Sequence, residues 1–464
     1  MLSVSFHKSQ GISIKRQLYQ AIREQILNGT LRAGEALPST RELAVRLKIS
    51  RNTVNEAYDM LITEGFVRSH RGAPTRVADG LCVRAGNTAQ KQEVCKKAEP
   101  PVSADFQTGR PDLRQFPQYL WQQILHKTSE ELPISQFGYG GPQGMPELRS
   151  EISAWLFRSK GLAADADDIF ITSGATHAIH ITACLLARNG NRIAMEDPCN
   201  KGILQTFYDA GCDVLPVPVD ENGICPELIK NEPNVGMVYV TPSHQFPLGG
   251  ILPAGRRAEL IRYAREKNIY LLEDDYDSEF RYLGDPVAPL CEMDPQRVIY
   301  VGTFSKVLFP ALRIGYVILP EELRRDWCSL RIHTDVQNAP FEQAALAEFL
   351  RTRKFDRHIK KMRKLYGMRR SVLLEALQAA FGNTWRAWGD AAGLHLAVQF
   401  PGLCFDEAFF KNCSEAGIRI STAEQHSIRK GFHRDMLLLG YGHMEPEEIQ
   451  KSILELCAVI RAGK

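Results

Sequence analysis

Apolar positions at Leu18, Ile22, Ile26 and Leu27 make one face of a helix over residues 14–27, and Asn28-Gly29 ends it. Ser39, with Glu42 three residues on, is a capping box that predicts a short helix over 41–47. Ser50 opens a third helix over 51–64, with Val54, Ala57, Tyr58 and Leu61 inward and Gly65 as its stop. The stretches 66–68 and 75–77, separated by Arg71-Gly72, read as a short hairpin. Two helices, a tight turn and a basic hairpin predict a winged helix-turn-helix over 1–78. Residues 79–103 carry little apolar periodicity and close near Pro100-Pro101, which predicts a flexible linker. From 104 to 464, apolar runs at 168–171, 192–195, 235–240, 269–272, 298–300 and 314–318 alternate with helical segments. That alternation predicts an α/β domain with a mostly parallel sheet, whose ligands sit beyond the carboxyl ends of the strands.

Length agrees with more than one core: 464 residues exceed what a single domain usually holds. A hydrophobic share of 44% and a charged share of 24% are those of a soluble globular chain. No apolar run approaches the roughly 20 residues that span a bilayer, and the N-terminus lacks a signal-peptide core, so a cytoplasmic protein is expected. Eleven Cys without CxxC pairs or zinc spacing predict reduced thiols and no metal site. The net charge of +3 is unevenly spread, at +5 over residues 1–80, +2 over 81–103 and −4 over the remainder. The positive end is where a nucleic-acid partner is expected.

Within that end, Ser50, Arg51, Asn52, Thr53 and Asn55 cluster at the start of the third helix, with side chains suited to base edges and phosphates. Ser39 and Arg41 stand at the start of the second helix, and Arg71 with Gly72 at the wing tip. The bland alternative is a small helical domain with a solvated polar face. The segments 34–44 and 50–54 resemble the GntR-type winged helix, and that resemblance implies binding to double-stranded operator DNA.

Four loops of the large domain follow strands. In the first, Ser173, Gly174, Ala175 and Thr176 precede a helix expected to begin near His177, a place where backbone N–H groups cradle a phosphate. The second holds His244 and Gln245, and His244 reads equally well as a structural histidine. The third is Glu273-Asp274-Asp275-Tyr276, and the fourth runs from Thr303 through Ser305 and Lys306 to Arg313. The fourth resembles the cofactor-lysine motif of fold-type I aminotransferases. The resemblance implies pyridoxal phosphate (PLP) held as a Schiff base on Lys306, its phosphate on Thr303, Ser305, Arg313 and the Ser173–Thr176 loop. Asp274, favoured over Asp275, would meet the ring nitrogen, Tyr276 the phenolic oxygen, and His244 and Gln245 would face the ring.

With the GntR-like head, the whole chain resembles MocR-type regulators. That resemblance implies a fold-type I PLP-dependent transferase-like domain with a small C-terminal α+β subdomain over about 340–464. It further implies a homodimer, head-to-tail, that senses a small-molecule effector. Three positions depart from the family pattern. Asn200 stands where an aromatic usually covers the ring, Gly202 near where GABA-responsive relatives carry an Arg, and Leu438 where aminotransferases carry the Arg for a substrate carboxylate. Arg429 or Arg434 are the possible substitutes. The departures argue against GABA or an ordinary amino acid in the usual pose, and against more than a slow half-transamination, so no catalytic residue is assigned. PLP itself, or an amine-containing metabolite, is the expected effector. Two competing readings are an active aminotransferase with an accessory DNA-binding head, and a repressor whose large domain is a scaffold without PLP. Turnover with a keto acid separates the first, and cofactor absorbance the second.

Overall fold

The computed structural model describes residue 6 and residues 12–70, 72–81, 102–186, 192–285 and 287–462. The expected wing-tip Arg71 and most of the expected linker lie outside them. The chain divides into two compact units, residues 1–99 and 100–464.

The first unit packs three helices, Ile14–Leu27, Thr40–Leu47 and Arg51–Thr63, beside an antiparallel pair of strands, β1 (Val67–Arg68) and β2 (Arg76–Val77). Leu18, Ile22, Ile26, Leu43, Val54, Ala57 and Leu61 make its core. Ser39 and Ser50 each accept from the backbone N–H three residues on, which starts the second and third helices. Glu64 caps the third, and Gly65 follows at φ +75°, in the left-handed region that glycine tolerates.

The second unit is built on an eight-stranded sheet. Its strands are β4 (Ile169–Thr172), β5 (Arg192–Asp197), β6 (Asp213–Asp220), β7 (Gly223–Ile224), β8 (Val235–Val240), β9 (Tyr270–Asp275), β10 (Val298–Thr303) and β11 (Gly315–Ile318). The order is β4-β11-β10-β9-β8-β5-β6-β7. Neighbours from β10 to β6 are parallel, whereas β11 runs antiparallel between β4 and β10. Alternate residues enter separate cores. Ala194, Val238, Leu271 and Val298 join one; Ile193, Met195, Met237, Tyr239, Leu272 and Ile299 join the other. Covered on both faces, the strands are continuous apolar runs in sequence.

Beyond a 28-residue helix, Lys354–Phe381, lie β12 (Arg386–Trp388), β13 (His395–Gln399), β14 (Ile418–Arg419), β15 (Ser421–Thr422) and β16 (Met436–Gly440). Four of them form an antiparallel sheet, β12-β13-β16-β15. β14 instead pairs with β3 (Ala104–Asp105), so the start of the unit closes on its small C-terminal part.

Candidate functional site

The parallel strands β5, β8, β9 and β10 end beside one another, and their polar ends converge there. Along β9 the side chains alternate, so Asp274 and Asp275 face opposite sides of the sheet. Asp274 meets Tyr239 of β8, whose hydroxyl donates to Oδ2 at 2.7 Å. Oδ1 of Asp274 is buried with no partner. Burial pushes this carboxyl up to about 6, in spite of the Tyr239 hydrogen bond. Nearby Glu196, hydrogen-bonded to Thr241, is pushed up to about 7 by burial.

Lys306, on the loop after β10, stands close enough to Asp274 for their charges to interact. Its Nζ donates to the Gly109 carbonyl at 2.7 Å. Burial lowers its pKa, with Asp277 and Asp274 pulling the other way. Gly109 has φ +69°, the left-handed region that favours glycine, and a Cβ there would stand 2.9 Å from that Nζ.

Ser173-Gly174 turns from β4 into the helix Ala175–Leu186, which begins two residues before the expected His177. Gly174 has φ +93°, and a Cβ there would lie 2.9 Å from Nη2 of Arg313. That guanidinium donates to the Ser173 carbonyl at 2.5 Å. The Ser173 hydroxyl accepts from Asn338 at 3.1 Å, and Thr303 and Ser305 hydroxyls meet at 3.1 Å. The turn at the first helical residues, Ala175 and Thr176, thus lies beside Arg313; a phosphate fits such a cradle.

His244 is buried. Its Nδ1 lies 3.0 Å from Asp277 Oδ1 and 2.9 Å from the Tyr276 hydroxyl, and its Nε2 is buried without a partner. Gln245 is committed to its own loop and the neighbouring one. Its Nε2 donates to the carbonyls of Phe246 and Pro198, and its Oε1 accepts from Leu248 N–H. Around these sit Phe246, His395 and His426, with ring centroids 5.2–5.3 Å apart. Burial pushes His395 down to about 3 and His426 down to about 4, so both are neutral.

The three departures have local explanations. Asn200 caps the helix Lys201–Asp209, its Oδ1 accepting from Gly202 N–H at 2.9 Å. Leu438 is fully buried at the centre of β16, between Ala397 and Ser421. Arg429 pairs with Asp197 at 3.0 Å, and Arg434 with Glu424 at 3.7 Å, so each already has a carboxylate.

Sequence reading overlooked Tyr239, Asp277, Asn338 and the Gly109 carbonyl. Tyr239, a phenol in an otherwise aliphatic strand, carried a signal; the others are visible only once the chain is folded. Among the described residues, no group of His, Cys, Asp and Glu side chains is arranged to hold a metal, and no helix is long and apolar enough to cross a membrane.

In the first unit, Ser39, Arg41, Ser50, Arg51, Asn52 and Gly72 are exposed, and Thr53 and Asn55 are half-buried. Ser50 spends its hydroxyl on the cap, accepting from Thr53 N–H at 3.1 Å. Of the exposed residues at the N-terminus of the third helix, Asn52 donates through Nδ2 to Glu56 at 3.5 Å. Lys48, exposed at φ +55° in the turn between the helices, was not singled out from sequence.

Residues 14–77 match the family described as "Bacterial regulatory proteins, gntR family", and residues 115–439 match "Aminotransferase class I and II". The chain therefore joins a winged-helix head of regulator type to an aminotransferase-like body. It belongs to the MocR-type family of GntR-headed transcription regulators. It is 31% identical over 464 residues to the probable rhizopine catabolism regulatory protein MocR of Rhizobium meliloti, covering 96% of this chain and 93% of that one. The pyridoxine biosynthesis transcriptional regulator PdxR of Corynebacterium glutamicum is 32% identical over 376 residues, 81% of each chain. Among solved structures, the Pyrococcus horikoshii kynurenine aminotransferase aligns with a TM-score of 0.72 at 25% identity, over 78% of this chain and 92% of that one. Such folds are of the fold-type I class.

Proposed function

We propose that this chain binds operator DNA through its winged helix and PLP through its aminotransferase-like unit, and that a small effector at the PLP site alters DNA affinity. The unpartnered Oδ1 of buried Asp274 carries the cofactor reading, because a protonated ring nitrogen is the partner that atom lacks. Lys306 would hold the aldehyde, and its lowered pKa leaves more of the amine neutral and nucleophilic. Ser173, Gly174, Ala175, Thr176, Thr303, Ser305 and Arg313 would hold the phosphate, and Tyr276 the phenolic oxygen. Bound there, the cofactor supplies an electrophilic, amine-reactive carbon.

The effector side is lined by neutral imidazoles and Phe246, and Arg429 and Arg434 are already paired. That lining suits PLP itself or an amine without an α-carboxylate. His244, held at Nδ1 by Asp277, offers Nε2 as an acceptor. The second unit exposes Ile134 at 88% and Tyr139 at 90%, beside half-exposed Phe137. An apolar patch of this kind is suited to a second copy of the chain, and two heads suit paired half-sites.

The test titrates PLP-loaded protein with GABA, α-amino acids and non-carboxylate amines, following the visible absorbance and operator binding together. Lys306→Ala should lose the visible band and any borohydride-fixed adduct. Micromolar responses to GABA or an α-amino acid, or sustained turnover with a keto acid, would overturn the effector reading. A retained covalent adduct in Lys306→Ala would overturn the cofactor reading.

A further inference from the structure

A second cavity of the aminotransferase-like unit, of about 500 Å³, shares no residue with the phosphate cradle. It lies between the helix Pro146–Lys160, the start of the helix Lys354–Phe381 and the loop that continues β9. Six cations line it: Arg158, Lys160, Arg281, Arg353, Lys360 and Arg363. Only two lining carboxylates, Glu279 and Asp356, oppose them.

The pairing leaves an excess. Lys160 is buried against Asp275 at 2.5 Å and Glu279 at 2.9 Å, one ammonium facing two carboxylates, so it has no charge to spare for the cavity. Asp356 serves two guanidiniums at once, Arg353 at 3.0 Å and Arg158 at 3.9 Å. Arg363 is held by the Glu279 carbonyl at 2.8 Å, with its charge unopposed there. Arg281 and Lys360 have no carboxylate partner among the described residues, and Nε of Arg281 is buried without any partner. Trp155 and Ile359 supply an apolar wall.

We propose that this cavity binds a small organic phosphate, its dianion held by Arg281, Lys360, Arg363 and Arg158 and its carbon body lying on Trp155 and Ile359. A phosphomonoester carries close to two charges near neutral pH, which a site with several uncompensated cations accommodates better than it does a single carboxylate. A concave volume of this size fits a small molecule rather than a duplex. The site is linked to the cofactor position through β9. Asp275 faces Lys160 on this side, and Asp274 faces Lys306 on the other.

The experiment titrates phenyl phosphate and inorganic phosphate into the full-length protein by calorimetry at fixed ionic strength. Four proteins are compared: wild type, Arg281→Ala/Lys360→Ala, the exposed single variant Lys360→Glu, and Arg313→Ala. Phenyl phosphate should bind wild type and Arg313→Ala saturably, with inorganic phosphate weaker for want of the apolar body. Affinity should fall at least about tenfold in both variants of the second cavity. Three results would overturn the proposal: no saturable binding of phenyl phosphate at millimolar concentration, binding lost in Arg313→Ala but kept in the other variants, or loss only of duplex DNA affinity on altering Arg281 and Lys360. Because Arg313 belongs to the cofactor cradle alone, failure of the cofactor reading leaves this outcome separable.

Discussion

The Tyr239 hydroxyl donates to Oδ2 of Asp274 at 2.7 Å, and Oδ1 of the same carboxylate is buried with no partner. The phenol orients the acid and leaves its second oxygen available, which the proposed contact to a ring nitrogen requires. Without a cation there, the ionised acid is costly. Its folded-state pKa of about 6 lies above the ordinary carboxylate value, so its contribution to stability is present at low pH and is lost as pH rises through about 6. Asp274→Asn should therefore stabilise the cofactor-free protein at pH 8, by an amount on the order of 2–3 kcal/mol for a shift of about two units. The gain should vanish near pH 4. The same variant should bind PLP more weakly. Thermal unfolding at the two pH values, with and without PLP, checks both signs.

Tyr239→Phe tests the orienting role separately. Removing the donor takes away a group that lowers the Asp274 pKa, so the acid should titrate higher still. PLP affinity should fall about tenfold, the scale of one hydrogen bond to a charged group. The absorbance of bound cofactor should become pH-dependent nearer neutrality. An unchanged absorbance profile would assign Tyr239 to packing alone.

Lys160 stands on the opposite face of β9, between Asp275 and Glu279. Burial opposes ionisation of Asp275, yet the Lys160 ammonium and its hydrogen bond hold that carboxyl below the usual range. Burial also opposes the ammonium, but Asp275 and Glu279 outweigh it and raise its pKa. The Lys160–Asp275 pair thus stabilises the fold at full strength between roughly pH 4 and pH 10, the ordinary values of the two groups. Lys160→Met should cost about 3–5 kcal/mol, because it strands two buried carboxylates. The loss should shrink as the pH falls toward 4. Urea unfolding at pH 7 and pH 4.5 measures it.

The strand positions were legible because strands covered on both faces are unbroken apolar runs. Their ends were not. Residues 192–195 read as the strand, but β5 continues through Glu196 and Asp197, and β9 through Glu273, Asp274 and Asp275. Buried carboxylates at strand ends look like loop residues in a linear reading, although here they belong to the strands and are held by partners distant in sequence. The antiparallel β11 between β4 and β10 was also out of reach, since local pattern carries no information on strand order. Residues that share one motif, such as Ser173 to Thr176, could be grouped from the linear pattern alone. Partnerships across distance could not: Lys306 meets the Gly109 carbonyl from 197 positions away. Asn200 looked like a missing aromatic; in the fold it is a helix cap.

Ile134 and Tyr139 are almost fully exposed, at 88% and 90%. If a second copy covers them, Ile134→Asp/Tyr139→Asp should shift the protein from dimer toward monomer in light scattering, with operator affinity falling in step. An unchanged dimer would move the interface elsewhere.

Arg41 and Arg51 open the second and third helices of the first unit, are exposed, and have no ion pair among the described residues. They should play different parts. Arg51 is the first residue of the third helix, where side chains reach base edges in a winged helix. Arg51→Ala should cost about 1–3 kcal/mol at the preferred operator and relax the choice at one base position. Arg41 is the second residue of the other helix, which in a helix-turn-helix crosses the DNA backbone. Arg41→Ala should weaken specific and random duplexes alike and reduce the slope of log K against log salt by about one. Competition binding over a panel of single-base operator variants, repeated at several salt concentrations, separates the two effects. If Arg51→Ala lowers affinity equally for every sequence and also flattens the salt slope, Arg51 is a phosphate contact and sequence is read elsewhere on the helix, with exposed Asn52 next in line.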